Sequence, residues 1–386
     1  MKKDYSKSAI ELHKKYKGKL STVSLAKLQN KDDLSVLYTP GVAAVSLAIA
    51  KDKKLARVLT MKGRTIAVVT DGSAVLGLGN IGPEAALPVM EGKSVLFKEF
   101  GGLDSVPIVL GTQNVEEIIS IVKAISPGFA GINLEDISAP RCFEIESRLI
   151  EELDIPVMHD DQHGTAIVVL AALINSLKIT KKKAEDVKVV ISGAGAASTA
   201  TLKLLLKAGV KPKNVLILDS KGIIHIKRED LNNEKINLCK LSNGKHEGGD
   251  LEKALIGADV FIGMSMGNIL KKEWVETMND NPIIFALANP VSEISYEDAL
   301  KTKAKVIGTG RSDHPNQINN VLAFPGVFRG AIDSGAKRIT DKMKIAAAHA
   351  IASLVSKVEL SKGIIIPDPF NKKVAKSVAA AVAKAK

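Results

Sequence analysis

The run VKVVISGAGAAS, residues 187–198, decides how this chain folds. An apolar stretch enters Gly193 and Gly195, and a helical run, ASTATLKLLLKAG (197–209), leaves them. Strand, glycine turn and helix in that order form the context in which the G-x-G-x-x-G fingerprint binds a dinucleotide. The first glycine makes the turn, the second admits a pyrophosphate, and a small third residue lets the helix pack on the strand. Ser198 is small enough for that third place. The next apolar run, NVLILD (214–219), ends at Asp219, 21 residues after Ser198, where a carboxylate would meet the ribose hydroxyls. Asp219 favours NAD because it repels a 2′-phosphate. Ser220 and Lys221 can soften that preference, which leaves NADP open.

A second run, GLGNIG (77–82), spells the fingerprint without a flaw but stands in the wrong context. The strand before it, RTIAVVTDG (64–72), ends near Thr70, and the extra turn TDGSAVL intervenes. Pro83 follows at once, Pro88 interrupts the next helical run, and the following strand ends without an acid. Two readings remain for these glycines: close backbone approach to something in a cleft, or a compact turn.

Around the glycine loop the chain alternates. VKVVISG, NVLILD, ADVFIGM, PIIFALANP and AKVIGTG read as strands between helical runs. A similar series precedes it: RTIAVVTDG, VPIVLGT (106–112), FAGINLED (129–136) and IPVMHDD (155–161), separated by VEEIISIVKAIS and RCFEIESRLIEELD. Alternation of this kind predicts α/β architecture with parallel strands and right-handed crossovers. Residues 1–60 read as mainly helical, with Pro40 at the first position of a helix through GVAAVSLAIAKD. We place the domain boundary near 160–180. This gives an N-terminal α/β domain over 1–162, a doubly wound Rossmann-type domain over 163–325 and a helical segment over 326–386.

Composition fits two such domains. The 386 residues are 46% hydrophobic but only 4% aromatic, so the core is built from Ala, Val, Ile and Leu. Net charge is +12, from scattered lysines and no basic run interleaved with aromatics, which argues against a nucleic-acid stacking platform. Cys142 and Cys239 form no C-x-x-C and suit a reducing compartment. The charged N-terminus lacks the apolar core of a signal peptide, and the longest apolar run, AIVVLAALI (166–174), is too short for a bilayer. The expectation is a soluble, cytoplasmic protein without a membrane or nucleic-acid partner.

Parallel strands gather their C-terminal ends on one edge, the usual ligand side of an open α/β sheet. Here that edge carries Glu135-Asp136 and Asp160-Asp161. Crowded carboxylates repel unless a cation sits among them, and oxygen ligands suit Mg²⁺ or Mn²⁺. The competing reading makes Asp136, Asp160 or Asp161 a helix cap. HDDQH places His159 and His163 four apart, as on a zinc helix. The helix is expected to begin near Gly164, however, which spoils that geometry. Lys93, in the mostly apolar MEGKSVLFKEFGG, and Tyr38, in VLYTPGV, are candidates for proton chemistry; their ordinary alternatives are a surface lysine and a packing tyrosine.

Taken together, LYTPGVA (37–43), VTDGSAVLGLGNIGPEAALPVMEGKSVLFKEFGG (69–102), NLEDISAPRCFEIE (133–146), MHDDQHGTAIV (158–168), ISGAGAAS (191–198), ALANP (286–290) and NQINNVLAFPGVFRGAID (316–333) resemble the short bacterial or archaeal type of malic enzyme. The resemblance implies oxidative decarboxylation of L-malate to pyruvate and CO₂, with NAD or NADP and with Mg²⁺ or Mn²⁺. It implies Glu135, Asp136 and Asp161 as metal ligands, with Asp160 as a supporting carboxylate of the catalytic group. Lys93 becomes the general base and Tyr38 the general acid. Asn289, Asn319 and Asn320 meet the substrate or nicotinamide end; Gly193, Ala194, Gly195, Ala196, Ala197 and Ser198 follow the pyrophosphate. GLGNIG then belongs to the substrate domain, and a homodimer is the family-level expectation. One departure is visible: Ala74 stands where longer relatives carry an arginine that grips malate. Two other readings are an amino-acid or hydroxy-acid dehydrogenase on a similar scaffold, against which the paired carboxylates argue, and a non-catalytic basic binding protein.

Overall fold

The computed structural model describes residues 5–386; the first four, which open the charged N-terminal stretch, lie outside the described residues. Two sheets organise the chain. The first holds β1 (Thr65–Thr70), β2 (Asp104–Val109), β3 (Gly131–Leu134) and β4 (Val157–His159), all parallel, in the order β2-β1-β3-β4. The second holds β5 (Val189–Ser192), β6 (Val215–Asp219), β7 (Gly222–Ile223), β8 (Val260–Gly263), β9 (Ile283–Ala286) and β10 (Val306–Thr309). Its order is β10-β9-β8-β5-β6-β7, parallel except for the short β7. Strand order reverses between β5 and β8, so the crevice at their C-terminal ends is a topological switch point.

The helix Asp160–Thr180 joins the sheets. It buries residues all round, from Ala166 to Leu173, and belongs to one continuous core with Ile66, Phe97, Ile191, Leu202 and Ile351. AIVVLAALI lies inside this 21-residue helix, which is long and apolar enough to cross a membrane but is a core helix here, with most of its length buried. A second stretch of that length and composition, 31–51, is broken at 38–41 and exposed. After the second sheet the chain returns to the first: Phe324 and Phe328, on the helix Phe324–Asp333, meet the ring of Phe97 edge-on at 4.7 and 5.5 Å.

Three local expectations need correction. The helix after β4 begins at Asp160, not near Gly164. Pro88 does not interrupt the helix Pro83–Gly101. Buried Ala86, Met90, Lys93, Ser94 and Phe97 continue one face across it, and that burial outweighs the roughly 3 kcal/mol an interior proline costs. Pro40 lies outside the helix Val42–Lys51, which starts after Gly41.

Candidate active site

β3 and β4 are neighbours, so their C-terminal ends bring the four carboxylates to one place. Glu135, Asp136 and Asp161 each offer an oxygen, all within 4.8 Å of one another. None of the four acts as a helix cap. The helix after Asp136 starts only at Arg141, and Asp160 and Asp161 lie inside the first turn of theirs without capping it.

Lys93 reaches into this cluster from the helix Pro83–Gly101 and is 7% exposed, not a surface lysine. Its Nζ lies 2.8 Å from Glu135 Oε1 and 2.6 Å from Asp160 Oδ2, and 4.4 Å from the centre of the Phe324 ring. Glu135 Oε2 accepts from Asn133 at 2.8 Å, and Asp160 Oδ2 also accepts from Asn320 Nδ2 at 2.6 Å. Asp161 Oδ2 accepts the backbone N–H of Asp136 at 2.9 Å. Asp136 itself takes the N–H of Leu76, from the turn leading into GLGNIG.

The electrostatics show a surplus of negative charge. Burial, reinforced by Asp161, pushes the Asp136 carboxyl up to about 7. Burial raises Asp160 to about 6 although Lys93 pulls it down, and it raises Glu135 as well. Burial alone would lower the Lys93 ammonium, but Asp160, Glu135 and Asp161 outweigh it and hold Lys93 well above its ordinary value. One buried cation thus faces four carboxylates, and Asp136 Oδ2 is buried without a hydrogen-bond partner. An all-oxygen set with an orphaned ligand atom fits a hard divalent cation such as Mg²⁺ or Mn²⁺. Zinc at His159 and His163 does not fit: His163 bonds Glu146 and Lys344 instead, and the only metal-like cluster among the described residues is the carboxylate one.

From the second sheet, Ala196 at the end of the glycine loop packs on the core that includes Leu134 and Ile137, the neighbours of Glu135 and Asp136. Gly193 has φ +116°, and a Cβ there would lie 2.6 Å from the Met264 carbonyl. Gly195 has open space around its missing side chain and precedes the helix Ala196–Lys207, whose first N–H groups no side chain caps. Such a helix start suits a pyrophosphate. Asp219 ends β6 as expected, but its carboxylate is occupied. Arg228 donates to both oxygens at 2.8 and 2.9 Å, and Lys235 reaches Oδ2 at 2.6 Å. Burial would raise this carboxyl, yet those cations hold it down at about 2. Repulsion of a 2′-phosphate by Asp219 is therefore offset by two cations that the local sequence did not bring forward.

The asparagines divide. Asn320 bonds Asp160, whereas Asn319 spends its Oδ1 on the N–H of Val321. Asn289 is exposed, with its carbonyl against Gly77. Tyr38 is 67% exposed and takes no part in the hydrogen bonds that hold the acidic cluster. Near Ala74, the Arg141 guanidinium lies 3.1 Å from buried Asp71 and 3.0 Å from Ser138, a cation that the sequence reading passed over.

Residues 162–386 match the model of the malic enzyme NAD binding domain, and 17–117 with 111–150 match that of the malic enzyme N-terminal domain. The chain belongs to the malic enzyme family. It is 57% identical to the NAD-dependent malic enzyme of Geobacillus stearothermophilus, over 95% of this chain and 76% of that one. It is 54% identical to the bifunctional malic/malolactic enzyme of Bacillus subtilis, over 98% and 92%. The crystal structure of the NAD-dependent malic enzyme of Thermotoga maritima superposes with a TM-score of 0.93 at 51% identity, over 97% of this chain and 98% of that one. The malic enzyme fold, with its α/β N-terminal unit and Rossmann-type second sheet, is the architecture described above.

Proposed function

We propose that this chain oxidatively decarboxylates L-malate to pyruvate and CO₂ while reducing NAD or NADP. The observation that carries the reading is a buried lysine bonded to two carboxylates of a four-carboxylate cluster, in which Asp136 Oδ2 and Asp160 Oδ1 are left without a hydrogen-bond partner. We assign the work to units 1–162 and 163–325, closed by the helical segment 326–386.

Glu135, Asp136 and Asp161 would hold Mg²⁺ or Mn²⁺, and Gly193 to Ser198 the pyrophosphate of the nicotinamide cofactor. A divalent cation there supplies Lewis acidity toward a 2-hydroxy acid, and the nicotinamide supplies a hydride acceptor. Lys93 Nζ receives the proton of the malate 2-hydroxyl. For that it must first be relieved of the carboxylates that hold it protonated, so its basicity depends on how their charge is shared. Asp160 orients Lys93 and, through Asn320, ties it to the turn that leads into the helix Phe324–Asp333. The Tyr38 hydroxyl delivers a proton to the enolpyruvate carbon after CO₂ departs. Two groups of separable pKa are needed, because one base cannot serve both ends of the sequence.

Tyr38 also suggests the assembly. The helices Tyr5–Tyr16, Lys31–Leu37 and Val42–Lys51 bury none of their residues, and Val36, Leu47 and Val58 are exposed around them. Apolar surface of this extent suits a homodimer in which the N-terminal segment lies on a second copy. A cytoplasmic setting agrees with two cysteines that form no disulfide.

The test is reduced-cofactor formation from L-malate with Mn²⁺ or with EDTA, offering NAD and NADP separately and assaying pyruvate. Metal-dependent reduction with one pyruvate per reduced cofactor is expected. Turnover indifferent to EDTA would replace this reading with a metal-independent hydroxy-acid dehydrogenase.

A further inference from the structure

Behind the acidic cluster lies a second buried chain of charged groups that the proposed chemistry does not use. Glu146, on the helix Arg141–Glu152, is 6% exposed. Its Oε1 accepts the backbone N–H of His159 at 2.7 Å, and its Oε2 lies 3.0 Å from His163 Nε2. His163 Nδ1 lies 3.0 Å from Nζ of Lys344, which is 8% exposed on the helix Asp341–Ser353. An ammonium only donates, so Nδ1 accepts and Nε2 carries the hydrogen given to Glu146. The chain of contacts is thus Lys344 to His163 to Glu146 to the backbone of His159.

Its end point matters. His159 immediately precedes Asp160 and Asp161, which open the helix Asp160–Thr180. Glu146 satisfies a backbone donor at the start of that helix that the helix itself cannot satisfy. It therefore sets the turn from which Asp160 reaches Lys93 and Asp161 joins Glu135 and Asp136. Glu146 sits on the helix that follows Glu135-Asp136, so the same side chain couples the ends of β3 and β4. Lys344 ties both to the C-terminal segment. For stability alone, buried charges of this kind are commonly replaceable by apolar residues at no loss. Their placement directly behind a ligand-bearing turn points to alignment.

We propose that Glu146, His163 and Lys344 are positioning residues that set the Asp160–Asp161 turn and, through it, divalent-cation affinity. This rests on the metal-site reading above. The test is Mn²⁺ binding to the purified full chain without substrate, followed by electron paramagnetic resonance of free Mn²⁺, alongside thermal melting and malate kinetics. His163→Leu removes both links and is expected to weaken Mn²⁺ binding by about 10- to 100-fold, the range typical of groups that orient metal ligands. Malate KM should rise with it more than kcat falls. His163→Gln keeps a donor to Glu146 but loses the Lys344 link, and its affinity should fall between that of His163→Leu and wild type. Lys344→Met leaves His163 in place and carries the same test if His163→Leu does not fold. A folded His163→Leu or Lys344→Met with wild-type Mn²⁺ affinity overturns the proposal while the metal site stands. A wild-type chain that binds no Mn²⁺ overturns the metal site and the proposal together.

Discussion

Gly164→Ala is a one-carbon change that should damage catalysis without touching any reacting group. A methyl at 164 would sit 1.8 Å from Asp160 Oδ1 and 2.8 Å from its Cγ, with Asn320 Cβ at 3.1 Å on the other side. The carboxylate must then retreat by more than roughly 1 Å, since non-bonded carbon–oxygen contacts do not close below about 3 Å. Asp160 Oδ2 now accepts from Lys93 and from Asn320, each at 2.6 Å. A shift of that size breaks at least one of these charge-assisted bonds, worth about 1.5–3 kcal/mol. It also releases Lys93 from the position in which it meets substrate, and a misplacement of about 1 Å costs on the order of 100-fold in rate. The expected result is a kcat/KM for malate lower by about 100-fold, near 2.7 kcal/mol of barrier. Overpacking should lower Tm by a few degrees at most, since it costs about 1–3 kcal/mol. Cofactor affinity should hold, because the glycine loop lies on the other sheet. Steady-state formation of reduced cofactor, with melting curves and NAD titration, reads all three. A folded variant with kcat/KM within about twofold of wild type would refute the argument that Asp160 aligns Lys93.

Lys93→Met should abolish malate oxidation while cofactor binding persists. Without Mn²⁺ it should also melt earlier, since stranding buried carboxylates costs about 3–5 kcal/mol, and added Mn²⁺ should restore more stability to it than to wild type; retained turnover would dismiss Lys93 as the base. Tyr38→Phe should slow pyruvate release more than malate oxidation. If Tyr38 serves the neighbouring copy, mixing Tyr38→Phe and Lys93→Met chains, each deficient in pyruvate formation, should after subunit exchange regain up to about a quarter of the wild-type rate of pyruvate formation, because a mixed dimer of twofold symmetry can hold one intact site; no recovery from exchanged dimers would place Tyr38 in its own subunit's site. Asp219→Ala frees Arg228 and Lys235 and should raise kcat/KM for NADP relative to NAD by on the order of tenfold, about 1.4 kcal/mol; an unchanged ratio would remove Asp219 from cofactor selection.

What the sequence made legible was what local spacing encodes. VKVVISGAGAAS announced its strand, turn and helix because all three constraints sit within a few residues of Gly193. The four carboxylates were legible because each pair follows a strand whose period is readable, and β3 lies beside β4. Lys93 was ambiguous: only the fold decides that the face of its helix turns inward against Phe324, from a segment more than 200 residues away. Glu146 and Lys344 left no signal, and His163 stood out only for a zinc reading that the fold does not support. Their contacts span 17 and 181 residues, and single charged residues such as Glu146 and Lys344 in helical runs read as solvent-facing. Asp219 misled in a milder way. Its place at the end of β6 was readable, but the cations that neutralise it arrive from a loop and a helix start with no periodic pattern.

GLGNIG poses the converse problem, a perfect motif with another use. At its first glycine the run lets a backbone come close, but to protein. Gly77 lies where a Cβ would stand 2.7 Å from the carbonyl of Asn289 and 3.3 Å from Pro290, across the seam from the second sheet. Gly72 passes closer still to the Gly82 carbonyl, where a Cβ would stand 2.2 Å away, and this folds the turn back on itself. Just before this run, the Leu76 N–H is spent on Asp136. The adjacent residues Leu76 and Gly77 therefore touch the carboxylate cluster and the ALANP loop after β9. A side chain at Gly77 would push the ALANP loop away from this turn. A motif read by spelling alone assigns these glycines to a nucleotide. Read by what a β-carbon would strike, Gly77 belongs to a contact with the ALANP loop, whereas Gly79 and Gly82 meet almost nothing and serve through their positive φ of +80° and +84°.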